Sequence, residues 1–193
     1  MLVFGLVVAA VAIMAATIYN KLVRLKNAVK NALSQIDVQL TRRFELIPNL
    51  VETAKKFMSH ERETFEAVVQ ARNMAVGAQK KVNSDPANTE AVKELQQAEN
   101  QLMSQMSRML LIVENYPELK ANETMKGLME ELTSTENKVS FSRQAYNDSV
   151  MSYNTSIQVF PNNIFAGMFS FKEFEFLKVE DPKAKEPVKV SFD

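Results

Sequence analysis

The sequence predicts an all-α fold: an N-terminal transmembrane helix continuous with a long antiparallel four-helix bundle, followed by a Phe-rich C-terminal arm. Three observations carry this expectation. The first 20 of the 193 residues contain no charged side chain. From Leu22 to Ile157 apolar residues recur at steps of three and four, the spacing of helices that each bury one stripe. Six of the 12 phenylalanines (Phe160, Phe165, Phe169, Phe171, Phe174 and Phe176) crowd into the segment that follows. The expected divisions are an anchor (1–19), a bundle (20–160) and an arm with an extended tail (161–193).

Met1 to Tyr19 is apolar apart from Thr17 and Tyr19, and as a helix it spans about 28 Å, enough to cross a bilayer. No basic residue precedes it, so it reads as an uncleaved anchor rather than a signal peptide. Lys21, Arg24, Lys26 and Lys30 follow it closely. The positive-inside rule therefore leans the bundle toward the cytoplasm.

The first bundle helix carries Leu22, Leu25, Val29, Ala32, Ile36, Leu40, Phe44 and Ile47 and meets no Gly or Pro before Pro48, where a kink is expected. Ser59 is a candidate cap for a second helix over 60–82. Pro86 is placed at the first position of a third helix, marked by Val92, Leu95, Leu102, Met106 and Met109. Tyr116-Pro117 stops that helix, and Asn122 caps a fourth that ends before Pro161. The outer two should run about 55–60 Å and the inner two about 35–45 Å. The inner pair then covers only the membrane-distal part of the outer pair. A two-helix stalk with an exposed apolar seam is expected below it, and oligomerisation there follows.

If Asn20 is level with Val159, residue i of the first helix faces about residue 179 − i of the last. Arg43 then meets Glu136, and Asp37 comes near Arg143. Together they form a candidate structural ionic layer where the apolar seam is interrupted. Tyr146-Asn147 and Tyr153-Asn154 repeat at a spacing of seven, which puts both pairs on one stripe, as core-edge packing or as a site for a polar ligand. The phenylalanines from Phe160 to Phe176 either cap the base of the bundle or contact lipid or a neighbouring subunit.

The absence of Cys rules out disulfides, thiolate nucleophiles and Cys-ligated zinc. His60-Glu61-Arg62-Glu63-Thr64 has Thr where a second imidazole would be needed to hold zinc. No Gly-rich phosphate loop or nucleophile elbow occurs. No catalytic residue, metal or cofactor is expected, and the net charge of +0 with a pI near 6.6 gives no basic footprint for nucleic acid.

YNKLVRLKNAVKNALSQIDVQLTRRFELIPNLVETAKKFMSHERETFEAVVQAR (19–72), YPELKANETM (116–125) and ENKVSFSRQAYNDSVMSYNTSIQVFPNNIFAGMFSF (136–171) resemble the signature blocks of the LemA family. The resemblance implies a bacterial inner or cytoplasmic membrane protein with one N-terminal span, a helical bundle and no established catalytic residues. The expected function is a non-catalytic, self-assembling membrane scaffold whose partners are its own copies and the bilayer. The alternative is an adaptor whose bundle docks a membrane protease, kinase or other partner.

Overall fold

The computed structural model describes residues 1–177. Six helices follow in order: α1 (Leu2–Lys55), α2 (Arg62–Ser84), α3 (Thr89–Val113), α4 (Pro117–Ala121), α5 (Glu123–Gln158) and α6 (Asn162–Met168). The expected anchor and first bundle helix are one rod of 54 residues, about 80 Å long. Its start is the one helix among the described residues long and apolar enough to cross a membrane, with a mean hydropathy of 2.5 over its most apolar window.

α1 packs along α5 and α2 packs along α3, and all four contribute to a single core. The Arg43–Glu136 ion pair (3.2 Å) fixes the α1–α5 register where the sequence placed it. The inner helices have 23 and 25 residues against 36 in α5. α2 ends level with Asp37, to which Asn83 donates a hydrogen bond, so the lower part of the α1–α5 seam receives no cover from it.

Local signals explain most boundaries. Asn122 caps α5, its side chain accepting from the Met125 amide at 3.0 Å. Ser59 does not cap α2. The side chain of Met58, 1% exposed, enters the core and holds the following residues in a turn, so that α2 starts at Arg62. Pro86 does not open α3 either. Asp85 accepts from the Ala87 amide, and Asn88 accepts from the amides of Glu90 and Ala91, satisfying the free donors of a helix that begins at Thr89. The short α4, which periodicity cannot detect in five residues, buries Leu119.

Pro48 lies inside α1 and has no N–H to give the Phe44 carbonyl. Arg72 on α2 supplies the missing donor, its Nε reaching that oxygen at 3.1 Å. Arg72→Met should therefore cost about 1 kcal/mol more with Pro48 present than in a Pro48→Ala background, where the helix bond is restored. A double-mutant cycle followed by urea unfolding measures the difference, and additive losses would contradict the pairing.

Candidate functional site

Two polar constructions interrupt the apolar core, and they meet. The first is the ionic layer. Arg43 on α1 and Arg143 on α5 both donate to Oε2 of Glu99 on α3, each at 3.0 Å. Arg43 also reaches Glu136 at 3.2 Å. The Arg43 and Glu99 side chains are 4% exposed, and Glu136, at 36%, forms the wet edge. Two guanidiniums and two carboxylates leave the layer neutral. Burial pushes the Glu99 carboxyl above its usual range, and the two arginines pull it back.

Sequence reasoning placed Arg43, Glu136 and Arg143 in this layer and missed its hub. The signal was present: position 99 is four residues after Leu95 and three before Leu102, so it lies on the α3 seam, where a Glu requires a partner. Asp37 does not belong to the layer. It faces α2, where Gln79 donates to its carboxylate at 2.7 Å beside the Asn83 contact. The separation is helical geometry: Asp37 follows the buried Ile36 by one residue, a turn of about 100° away from the α5 side.

The second construction binds the arm. After α6, residues 171–177 carry no regular secondary structure and run back along α5, away from the end of the apolar segment. Asn154 donates to the Phe174 carbonyl and accepts from the Phe174 amide, at 2.9 and 3.0 Å. Asn147 does the same for Leu177, at 2.9 Å in both directions. The Tyr153 and Tyr146 hydroxyls donate to the carbonyls of Lys172 and Glu175, at 2.9 and 3.0 Å. From one Tyr-Asn pair to the other, seven helical residues rise about 10.5 Å. The three arm residues that match them cover the same distance at about 3.5 Å each, which is nearly full extension. The spacing of seven is therefore a ladder that holds an extended chain by its backbone.

The arm is strand-like in extension up to Leu177, but it pairs with side chains rather than with another strand. Residues 178–193, the remainder of the expected arm and tail, lie outside the described residues. Burial, aided by the Glu175 charge, pushes the Tyr146 hydroxyl up to about 12, so it remains a donor at neutral pH. Its contribution to stability is fully present below about pH 10 and is lost as pH rises through about 12.

The arm brings apolar anchors with it. Phe174 and Leu177 are 4% exposed, and Phe174 stacks edge-on against Tyr153 with ring centroids 5.1 Å apart. Phe174 is thus part of the subunit's own core rather than a contact for lipid or a neighbour. Phe165 and Phe171 are half-buried against that core. Phe160, Phe169 and Phe176 remain exposed. Leu177 lines the same small cavity as Glu99 and Arg143, and Gln96 of α3 donates to the Phe176 carbonyl at 3.0 Å. The tip of the arm therefore closes the side of the ionic layer.

Of the α3 methionines, Met106 and Met109 are core residues and Met103 is exposed. Glu61, beside His60, accepts from the Tyr116 hydroxyl at 3.3 Å across the helix corner. Among the described residues no three His, Cys, Asp or Glu side chains converge to hold a metal ion.

Removing one member of a buried ion pair strands the others. Glu99→Ala should therefore cost about 3–5 kcal/mol in urea unfolding followed by circular dichroism. Glu94→Ala, which breaks an exposed pair of the same helix with Lys81, should cost less than about 1 kcal/mol. Similar small losses from both would contradict a buried layer.

Comparison with known proteins matches the model of the LemA family over residues 32–192. Two magnetosome proteins are similar. Magnetosome protein MamQ 2 of Paramagnetospirillum magneticum is 25% identical over 185 residues, covering 88% of this chain and 68% of the relative. Magnetosome protein MamQ of Magnetospirillum gryphiswaldense has the same identity and coverage. The matched region takes in the register-fixing arginine, the glutamate hub and the arm with its ladder, and by that match the chain belongs to the LemA family.

Proposed function

We propose that the protein is a non-catalytic scaffold, anchored in the bacterial inner or cytoplasmic membrane by 1–19, whose bundle lies in the cytoplasm and assembles with its own copies. The observation that carries the proposal is the continuity of α1. Residues 1–17 are left uncovered by the rest of the chain except for a half-buried Ala15, and the same helix then becomes the spine of the core. An unbroken helix ties the bundle directly to the bilayer, which suits a structural role. The relatives' names, as magnetosome proteins, fit a role at a membrane.

Self-assembly is supported by the outer face of the α1–α5 pair rather than by the arm, which is engaged within the subunit. Val38 and Phe141 are 58% and 71% exposed and stand level in the register set by Arg43 and Glu136. Helices leaving one membrane side by side would bring these faces together. An adaptor role rests on a different feature, an open cavity of about 600 Å³ at the far corner, lined by Met58, Phe65 and Val69 among others.

Size in mild detergent or nanodiscs separates the two. The wild-type chain should be larger than a monomer, and Phe141→Asp should weaken assembly by about 100-fold or more while helicity is retained, because a carboxylate in an apolar contact costs several kcal/mol. A wild-type monomer at micromolar concentration in the bilayer would contradict the scaffold.

A further inference from the structure

We propose that the turn at the base of the bundle, residues 159–170, is a lipid-seating surface. Its apolar stripe enters the headgroup layer of an anionic bilayer, while the cations beside it bind lipid phosphates. The inference rests on the anchorage proposed above but not on self-assembly.

The chain reverses at this turn. α5 descends toward the apolar segment, α6 crosses below it, and the arm climbs back. The register of α1 and α5 puts Phe160 level with Tyr19, the last residue of the apolar run. Tyr19 meets the rings of Phe169 and Phe171 at centroid distances of 4.9 and 5.8 Å. The turn therefore stands at the height where α1 would leave the hydrocarbon.

α6 is held in one orientation. Asn162 donates to the Ser156 carbonyl at 2.9 Å, and Asn162 and Ala166 are buried. The Phe171 amide closes the turn on the Ala166 carbonyl at 3.0 Å, and Ser170 takes a positive φ of 56° where the chain doubles back. The opposite face carries Ile164 and Met168, four residues apart and 53% and 70% exposed, and Phe160, in the turn just before the helix, is 80% exposed. Residues four apart on a helix share one face, so Ile164 and Met168 point outward together.

Charge chooses between lipid and a second copy. No acid occurs before Asp37, while Lys21, Arg24, Lys26 and Lys30 follow Tyr19 along the first turns; at the start of the arm Lys172 is offset by Glu173, which accepts from Gln158 at 2.8 Å, so the excess of cations comes from α1. Lys26 lies over the Phe171 ring, its Nζ 5.7 Å from the centroid. Two such collars repel one another, whereas an anionic leaflet attracts each of them. Large apolar side chains below a cationic collar, beside a membrane-length helix, match the layering of an anionic bilayer surface.

The test uses the full chain, which has no native Cys. Single variants Ile164→Cys, Met168→Cys, Ile13→Cys and Asn115→Cys carry a polarity-sensitive fluorophore and are reconstituted in two kinds of vesicle, one of phosphatidylcholine with phosphatidylglycerol and one of phosphatidylcholine alone. Headgroup-nitroxide lipid should quench the labels at 164 and 168 roughly threefold more than the label at 115 when phosphatidylglycerol is present. Seating should weaken without phosphatidylglycerol, and by roughly fivefold for each cation removed in Lys21→Gln, Arg24→Gln and Lys26→Gln.

Labels at 164 and 168 that behave like the label at 115, while the label at 13 is quenched by deep nitroxide lipid, would overturn the inference and leave the anchor intact. A label at 13 that stays in water would overturn the anchor itself. Shielding of 164 and 168 that disappears when protein is diluted in the bilayer would assign the stripe to a second copy and overturn the inference. Equal seating in both vesicles would overturn the anionic requirement.

Discussion

An apolar seam that outruns its cover is the constraint from which the rest of this structure follows. α1 and α5 pair along the whole of α5, but α2 and α3 are too short to shield that pair to its end. Burial contributes about 25 cal/mol for each Å² of apolar surface, so Leu22, Val29 and Leu33, all buried, cannot be left facing water without a loss of several kcal/mol. The arm resolves this. It folds back beneath the inner helices, fills the seam with Phe174 and Leu177, and meets α3 at Gln96. The expected two-helix stalk is in fact a three-element stalk, and its seam is covered within the subunit.

A third element without secondary structure creates its own problem, because extended backbone next to a helix has no neighbouring strand to satisfy its N–H and C=O groups. Buried unpaired groups cost about 1–3 kcal/mol each. The two Tyr-Asn pairs answer it. An Asn amide both donates and accepts, so each one imitates a strand residue, and the tyrosine hydroxyls take carbonyls between them. The ionic layer stands where the two kinds of cover join. There Glu99 binds α3 to both outer helices, while Leu177 shields it from the open side. Polar groups placed at such a junction set register, since a slip of one residue would leave each charge unpaired.

Helical periodicity displayed the four long elements because each buries a continuous stripe, and antiparallel pairing made the Arg43–Glu136 contact a matter of arithmetic. The same reasoning misjudged Asp37, since level is not facing: a helix puts adjacent residues about 100° apart. Glu99 was visible as an acid on the α3 seam, but its partners come from two other helices, and no one-helix pattern contains them. The ladder was half legible. Its spacing of seven stood out, but what it binds is backbone, which has the same donors and acceptors whatever the sequence. Phenylalanine density marked the arm and could not sort its rings, because place in the fold decides their burial: Phe160 sits in the turn between α5 and α6, whereas Phe174 sits on the extended segment held against α5.

The fold as a whole depends on the arm being a structural part of the core rather than an appendage resting on it. Hydrogen exchange of the full-length chain in nanodiscs, comparing wild type with the Asn147→Ala/Asn154→Ala variant, tests this most directly. In the variant, amides of residues 22–36 and 146–157 should lose protection by about tenfold or more, while residues 44–54 under α2 and α3 keep theirs. Unchanged protection in the lower segment, or a loss spread evenly along α1, would contradict it.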